Sequence, residues 1–168
     1  ARLSVEVEIV VVSGEKATVV QEFVTVDNFE PKDLIADGRT PMGGGIELAI
    51  KELGERKDSY KRNAIGYFRP WVMVISDGRP TDEWKIPAAK LKEEEQKGSL
   101  ICYPVAVGLA DVDILSEMSE VNQPVKLKGL AFKEMFRWLS VSVTQVSRSG
   151  IGNAVDLPAV SWGNVAED

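Results

Sequence analysis

The spacing of apolar residues at the start of the chain predicts a β-hairpin. Apolar residues occupy every second position from Val5 to Ile9 and then every position up to Val12. This pattern is typical of a strand whose second half is buried on both faces. A polar turn over residues 13–16 leads into a segment rich in valine and threonine, residues 17–26, which predicts a second strand beside the first.

Further along, the apolar period lengthens to that of a helix, and helical stripes alternate with short apolar runs. Helical spacing predicts helices over residues 46–53, 84–91, 114–118 and 132–146, and apolar runs predict strands over 71–75, 100–107 and 125–127, the last at a sheet edge. Residues 57–67 are predicted to form a polar surface connection. Strands that alternate with helices predict an α/β fold with a doubly wound, mostly parallel sheet and helices on both faces.

Composition excludes several classes of function. The chain has 168 residues, no histidine and one cysteine, Cys102. This excludes Ser-His-Asp and Cys-His catalysis, zinc sites of imidazole or thiolate, and a disulfide within the chain. The formal net charge of −6 argues against binding of nucleic acid. No membrane span or signal peptide is recognisable, so we expect a cytoplasmic protein.

Two individual segments also allow a local prediction. Cys102 lies in an apolar run, which favours a buried structural thiol. Residues 93–95 are three consecutive glutamates, which predict a solvated helix end.

Two loops carry the candidate chemistry. Thr40 lies in a glycine-rich loop just before the first predicted helix, and Asp77 comes directly after a predicted buried strand. In wound sheets ligands bind beyond the carboxyl ends of the strands, and we expect both residues at that edge. A hydroxyl and a carboxylate are hard oxygen ligands of the kind that Mg²⁺ prefers. The sequence therefore predicts that Thr40 and Asp77 bind one metal ion.

In these loops the chain resembles the von Willebrand factor type A (VWA) domain, and in particular a small bacterial branch associated with tellurium resistance and stress. Thr40, within residues 38–43, and Asp77, within residues 75–82, match the second and third motifs of the metal-ion-dependent adhesion site (MIDAS) of that family. The resemblance implies a VWA-like domain over residues 1–148, followed by a C-terminal tail over residues 149–168.

The first MIDAS motif, Asp-x-Ser-x-Ser, does not occur in this sequence. The resemblance implies that the family's first strand and helix are missing and that the site, for Mg²⁺ or for Mn²⁺ or Ca²⁺, is incomplete. It also implies that the chain alone does not form a stable closed monomer. The missing strand and helix would come from truncated residues, from another chain or from a swapped neighbour.

The function implied by the resemblance is a non-enzymatic, metal-dependent protein–protein interaction module in a bacterial stress-response or signalling complex. A partner protein would supply an acidic residue to the metal. Two alternatives stay open: a Mg²⁺-dependent phosphohydrolase that uses Asp77, and a degenerate scaffold domain without metal.

Structural explanations also exist for the same residues. Thr40 would serve as a helix cap, Asp77 and Gly78 as an ordinary turn, and Asp82 as the cap of the following helix. Arg39 and Arg79 would be solvated, or would steer an acidic partner.

Overall fold

The computed structural model describes residues 5–77 and 79–165. The chain divides into two compact units, the first made of Ala1–Ile65 and Pro80–Lys90, and the second of Gly66–Arg79 and Leu91–Asp168. Within the described residues there are four α-helices and two β-sheets. The mixed α/β class predicted from the sequence is therefore confirmed.

The first unit is built on the predicted hairpin. Strands β1 (Glu6–Val11) and β2 (Thr18–Thr25) pair antiparallel, and helix α1 (Met42–Arg62) packs on both of them. The prediction of a surface connection from residue 57 was wrong, because α1 continues to Arg62. No glycine or proline interrupts residues 55–62, so nothing in the backbone ends the helix earlier.

A partly buried ion pair between Arg56 and Glu6 connects the last turns of α1 to β1. Arg56 Nε donates to Glu6 Oε2 at 2.8 Å, and Arg56 Nη2 and the Tyr60 hydroxyl also donate to the Glu6 carboxylate. The Arg56 guanidinium lies 4.9 Å from the centroid of the Tyr60 ring. Burial by itself would raise the pKa of Glu6, but the hydrogen bonds from Arg56 and Tyr60 outweigh it and lower that pKa below 4.5.

Glu8, two residues along β1, has the opposite electrostatic environment. Burial, followed by repulsion from Glu52 and Glu22, raises the pKa of Glu8 to about 7, against a smaller opposing effect of Lys51. The folded chain therefore takes up a proton at Glu8 between about pH 4.5 and 7 that the unfolded chain does not. This proton stabilises the fold fully below pH 4.5, and the stabilisation is lost as the pH rises through 7.

We therefore expect Glu8→Gln to be more stable than the wild type at pH 8, by about 1 kcal/mol after allowance for solvent screening. The difference should shrink as the pH falls to 5, because wild-type Glu8 then becomes neutral. Urea unfolding followed by circular dichroism at both pH values measures this. Glu15→Gln, at a side chain that is 85% exposed, is the matched control and should show no such pH dependence. A Glu8→Gln difference that is the same at both pH values would contradict the prediction.

The second unit contains a four-stranded sheet that is mostly parallel, as predicted. Its strands are β3 (Trp71–Ser76), β4 (Ile101–Ala106), β5 (Val125–Leu127) and β6 (Gly163–Val165), in that spatial order. The pairs β3–β4 and β4–β5 are parallel, and β5–β6 is antiparallel. The prediction of β5 as an edge strand was wrong, since β6 from the C-terminal segment pairs with its outer side.

The C-terminal segment supplies more than β6. Trp162 is 3% exposed and belongs to the main apolar cluster of this unit. The indole Nε1 of Trp138 donates to the Pro158 carbonyl at 2.8 Å. A Cβ at Gly163 would lie 2.4 Å from Val125 Cγ1, so glycine at this position allows β6 to reach β5.

The remaining helices are α2 (Lys85–Gln96), α3 (Val112–Ser116) and α4 (Phe132–Ser149). All were predicted, and Asp111 caps α3 because its Oδ1 accepts from the Ile114 amide. On α4, Met135, Trp138 and Ser142 are buried, whereas Phe136 is 54% exposed. No helix in the described part of the chain is both long and apolar enough to cross a membrane.

The prediction that the three glutamates at the end of α2 are solvated was wrong for Glu95. Glu95 is 6% exposed, and its carboxylate accepts from the Cys102 amide at 2.8 Å, from the Ser119 hydroxyl at 2.7 Å and from the Glu120 amide at 3.2 Å. Cys102 is fully buried, as predicted, and this burial raises the pKa of its thiol well above 9.0. The Cys102 thiol is therefore a structural group.

Candidate functional site

Thr40 lies in the first unit, just ahead of α1, and its backbone is held by Thr81. The Thr40 amide donates to Thr81 Oγ1 at 3.0 Å, and the Thr40 carbonyl accepts from the Thr81 amide at 2.9 Å. The cap of α1 is Pro41 rather than Thr40, and it makes no side-chain cap bond. Among the described residues none forms a hydrogen bond with the Thr40 hydroxyl. The helix-cap explanation of Thr40 is therefore wrong, and its hydroxyl is available to a ligand.

The start of α1 is instead capped by Asp82 from another part of the first unit. Asp82 Oδ1 accepts from the Gly43 amide at 3.0 Å, and Asp82 Oδ2 accepts from the Gly44 amide at 2.8 Å. A carboxylate fits two adjacent amides at a helix N-terminus, where the partial charge is positive. The prediction that Asp82 caps the following helix was wrong, because Glu83 accepts from the Lys85 and Ile86 amides there.

Close packing explains the glycines at this helix start. A Cβ at Gly43 would lie 1.9 Å from the Glu83 carbonyl oxygen, and a Cβ at Gly45 would lie 2.2 Å from Val12 Cγ1. The backbone at these two glycines therefore packs closely against the chain itself, at the loop that carries Glu83 and at Val12, the residue after β1.

Asp77 lies in the second unit, directly after β3 and at its carboxyl end. It is exposed, and in the described part of the chain no residue donates a hydrogen bond to its carboxylate. Gly78, predicted to form a turn with Asp77, lies outside the described residues.

The two arginines near the predicted ligands in the sequence each form an ion pair within the chain. Arg79 Nη2 lies 3.0 Å from Asp111 Oδ2, and Asp111 also caps α3. Arg39, in the first unit, lies 3.4 Å from Glu15 Oε2 with both side chains exposed. Both arginine side chains are largely exposed, as expected, at 65% for Arg39 and 79% for Arg79, and each also has an acidic partner within the chain.

The two predicted ligands belong to different units, Thr40 to the first and Asp77 to the second. That they bind the same ion stays a prediction. Within residues 5–77 and 79–165, no three histidine, cysteine, aspartate or glutamate side chains are grouped to hold a metal ion. One hydroxyl and one carboxylate would supply two of the roughly six oxygen ligands that Mg²⁺ takes.

Sequence reasoning named Thr40 and Asp77 as candidate ligands, which stays a prediction, but it missed the roles of Thr81 and Glu83 and misassigned Asp82. The contacts of Thr81 and Asp82 join residues 41 and 39 positions apart, and no local pattern marks such pairs. The chain matches no protein-family model, and no similar sequence is found among curated proteins.

Proposed function

We propose that this chain is a non-enzymatic, divalent-metal-dependent protein–protein interaction module of the MIDAS type, with a VWA-like, doubly wound fold. The Thr40 hydroxyl and the Asp77 carboxylate bind Mg²⁺, and an Asp or Glu of a partner protein completes the coordination. The setting that we propose is a bacterial stress-response or signalling complex in the cytoplasm.

One observation carries the proposal. The Thr40 hydroxyl and the Asp77 carboxylate, which are predicted to bind metal, form no hydrogen bond with the described residues. Two other acids, Asp82 and Asp111, have partners within the chain. Asp82 caps α1, and Asp111 caps α3 and pairs with Arg79. An exposed carboxylate at the end of an apolar parallel strand is where wound sheets place their ligand-binding groups.

The chemistry of these groups favours binding over catalysis. Mg²⁺ prefers an octahedron of oxygens and usually keeps several waters. A neutral hydroxyl and a single carboxylate leave the ion with net positive charge, so a further carboxylate from a partner is attracted to it. No bond needs to break for such recognition.

Paramagnetic Mn²⁺ provides the test, because it broadens NMR signals of nuclei close to it. At millimolar Mn²⁺ we expect the amide signals flanking Thr40 and those flanking Asp77 to broaden together. Asp77→Ala should weaken both effects by at least about tenfold, because it removes the only charged ligand that we assign. Asp113→Ala, at an exposed acid in the first turn of α3, is the matched control and should leave both unchanged. Broadening confined to other acidic positions would overturn the proposal.

A phosphatase assay separates the alternatives. We expect no Mg²⁺-dependent turnover of p-nitrophenyl phosphate. Turnover that is lost in Asp77→Ala would assign the chain to the phosphohydrolases instead. A chain that binds neither Mn²⁺ nor Mg²⁺ at Asp77 would be the scaffold without metal.

A further inference from the structure

The outer face of helix α4 is a continuous exposed stripe of polar side chains. Met135, Trp138 and Ser142 mark the buried face of this helix. With about 3.6 residues per turn, the opposite side is formed by five residues that are all exposed, Lys133, Arg137, Ser140, Thr144 and Arg148. The charged residues of this stripe are all basic, and Glu134 is the one acid in the sequence of α4.

The three bases of the stripe have no acidic partner in the part of the chain that the structure describes. The other long helices do pair bases with acids of their own. Lys51 Nζ lies 3.1 Å from Glu55 Oε1 on α1, and Lys97 Nζ lies 2.7 Å from Glu93 Oε1 just after α2. The positive charge of α4 is therefore left for a group outside the described residues.

Two of these bases occupy positions that are locally unfavourable for positive charge. Lys133 and Arg137 are four residues apart on one helix, where like charges repel each other. Lys133 also lies in the first turn of α4, where the helix dipole disfavours a cation. An anion bound against both side chains relieves this repulsion. Arg148 differs, because the dipole favours a base in the last turn.

Exposed apolar side chains flank the stripe on both sides. Phe136 is 54% exposed on one side and Val141 is 44% exposed on the other. The surrounding sequence adds to the positive charge, because residues 121–155 contain five bases and Glu134 as their one acid. Arginine and aromatic side chains are enriched in protein–protein interfaces, and this face of α4 presents both.

We propose that the outer face of α4 binds an acidic, amphipathic segment of a partner protein. Carboxylates of that segment pair with the three bases of the stripe, and its apolar residues contact Phe136 and Val141. Complementary charges of this kind fix the orientation of two partners. The binding needs no metal, and α4 contains neither of the two metal ligands proposed above. It therefore does not depend on that proposed function.

The charge of the whole chain favours a protein segment over a membrane or a nucleic acid. An anionic bilayer or a nucleic acid carries negative charge over a wide area, and the formal net charge of the chain is −6. A short acidic segment bound to the stripe responds mainly to charges within about 10 Å at roughly 0.1 M salt. An interfacial helix also needs a broad apolar face, whereas the apolar face of α4 already packs in the core of its unit.

NMR titration of the isotope-labelled 168-residue chain in EDTA tests the proposal. The probe is a helical peptide about as long as α4, with glutamate on one face and leucine along its borders. We expect saturable shifts of the amide signals that cluster within residues 130–148. The dissociation constant should rise at least about tenfold between roughly 0.05 M and 0.5 M NaCl, because salt screens the charge pairs. The same peptide with glutamine in place of glutamate should not bind.

Two double variants provide the matched comparison on the side of the protein. Lys133→Gln with Arg137→Gln should weaken binding of the acidic peptide at least about tenfold. Lys85→Gln with Lys90→Gln removes the same charge from exposed positions of α2 and should change binding less than about twofold. If the first variant does not fold, the glutamine peptide decides alone.

Several results would overturn the proposal. They include equal binding of the two peptides, no binding of either, and shifts that cluster outside residues 130–148. Sedimentation with vesicles of phosphatidylcholine and phosphatidylglycerol that is lost in the Lys133 and Arg137 double variant would assign the stripe to a membrane surface instead. Shifts of α4 signals that appear without peptide as the protein concentration rises would assign it to a second copy of the chain.

Discussion

Gly43→Ala is expected to lower the free energy of unfolding by about 3 kcal/mol, whereas Gly54→Ala is expected to raise it by about 1 kcal/mol. Both glycines lie on α1. A Cβ at Gly43 would lie 1.9 Å from the Glu83 carbonyl oxygen, a backbone atom, whereas nothing lies within 4 Å of a Cβ at Gly54. The first substitution therefore forces the loop that carries Asp82 away from the helix start. The second only reduces the conformational freedom of the unfolded chain.

Urea unfolding followed by circular dichroism measures both variants under the same conditions. The decisive result is that the two variants change the free energy of unfolding in opposite directions. If α1 tolerated no alanine at its glycine positions, both variants would be less stable than the wild type. A Gly43→Ala variant as stable as the wild type would show that Glu83 does not lie against the start of α1. Loss of the Asp82 cap should also be visible as faster hydrogen exchange at the Gly44 amide.

Glu95→Ala is expected to lower the free energy of unfolding by about 3–4 kcal/mol, because it leaves two buried donors and one partly buried donor without an acceptor. These donors are the Cys102 amide, the Ser119 hydroxyl and the Glu120 amide. Glu95→Gln keeps one acceptor oxygen but places an NH₂ group among donors, so a loss of about 2 kcal/mol is expected.

Glu93→Ala is the matched control for Glu95, two residues earlier on α2. The Glu93 side chain is 59% exposed and pairs with Lys97 at 2.7 Å, and its removal should change the free energy of unfolding by less than about 0.5 kcal/mol. The same urea titration measures all three variants. Equal effects of Glu95→Ala and Glu93→Ala would mean that the buried network around Glu95 does not form in solution.

Prediction from sequence succeeded where a single segment carries enough information. The alternation of valines with polar residues identified β1, and the unbroken apolar run identified β3, because side chains on a strand alternate between its faces. Helical spacing identified all four helices of the described residues. The exposed Asp77 at the end of β3 follows from the same reasoning, since the apolar run ends immediately before Ser76.

Prediction failed where the role of a residue depends on a distant partner. The charge of Glu95 suggested a solvated position, yet its partners Ser119 and Glu120 lie 24 and 25 positions away. Phe136 fits the helical stripe of α4 but is largely exposed, because the packing of α4 selects the face that carries Met135 and Trp138.

The sequence by itself determined the type and order of the elements and two oxygen ligand candidates, Thr40 and Asp77, because periodicity and loop chemistry act over a few residues. Only the tertiary structure decided that β5 lies inside the sheet, that Asp82 caps α1, and that no described residue forms a hydrogen bond with the Thr40 hydroxyl. These outcomes depend on which distant backbone groups meet, since each buried donor or acceptor is satisfied by whatever partner the folded chain brings within about 3 Å.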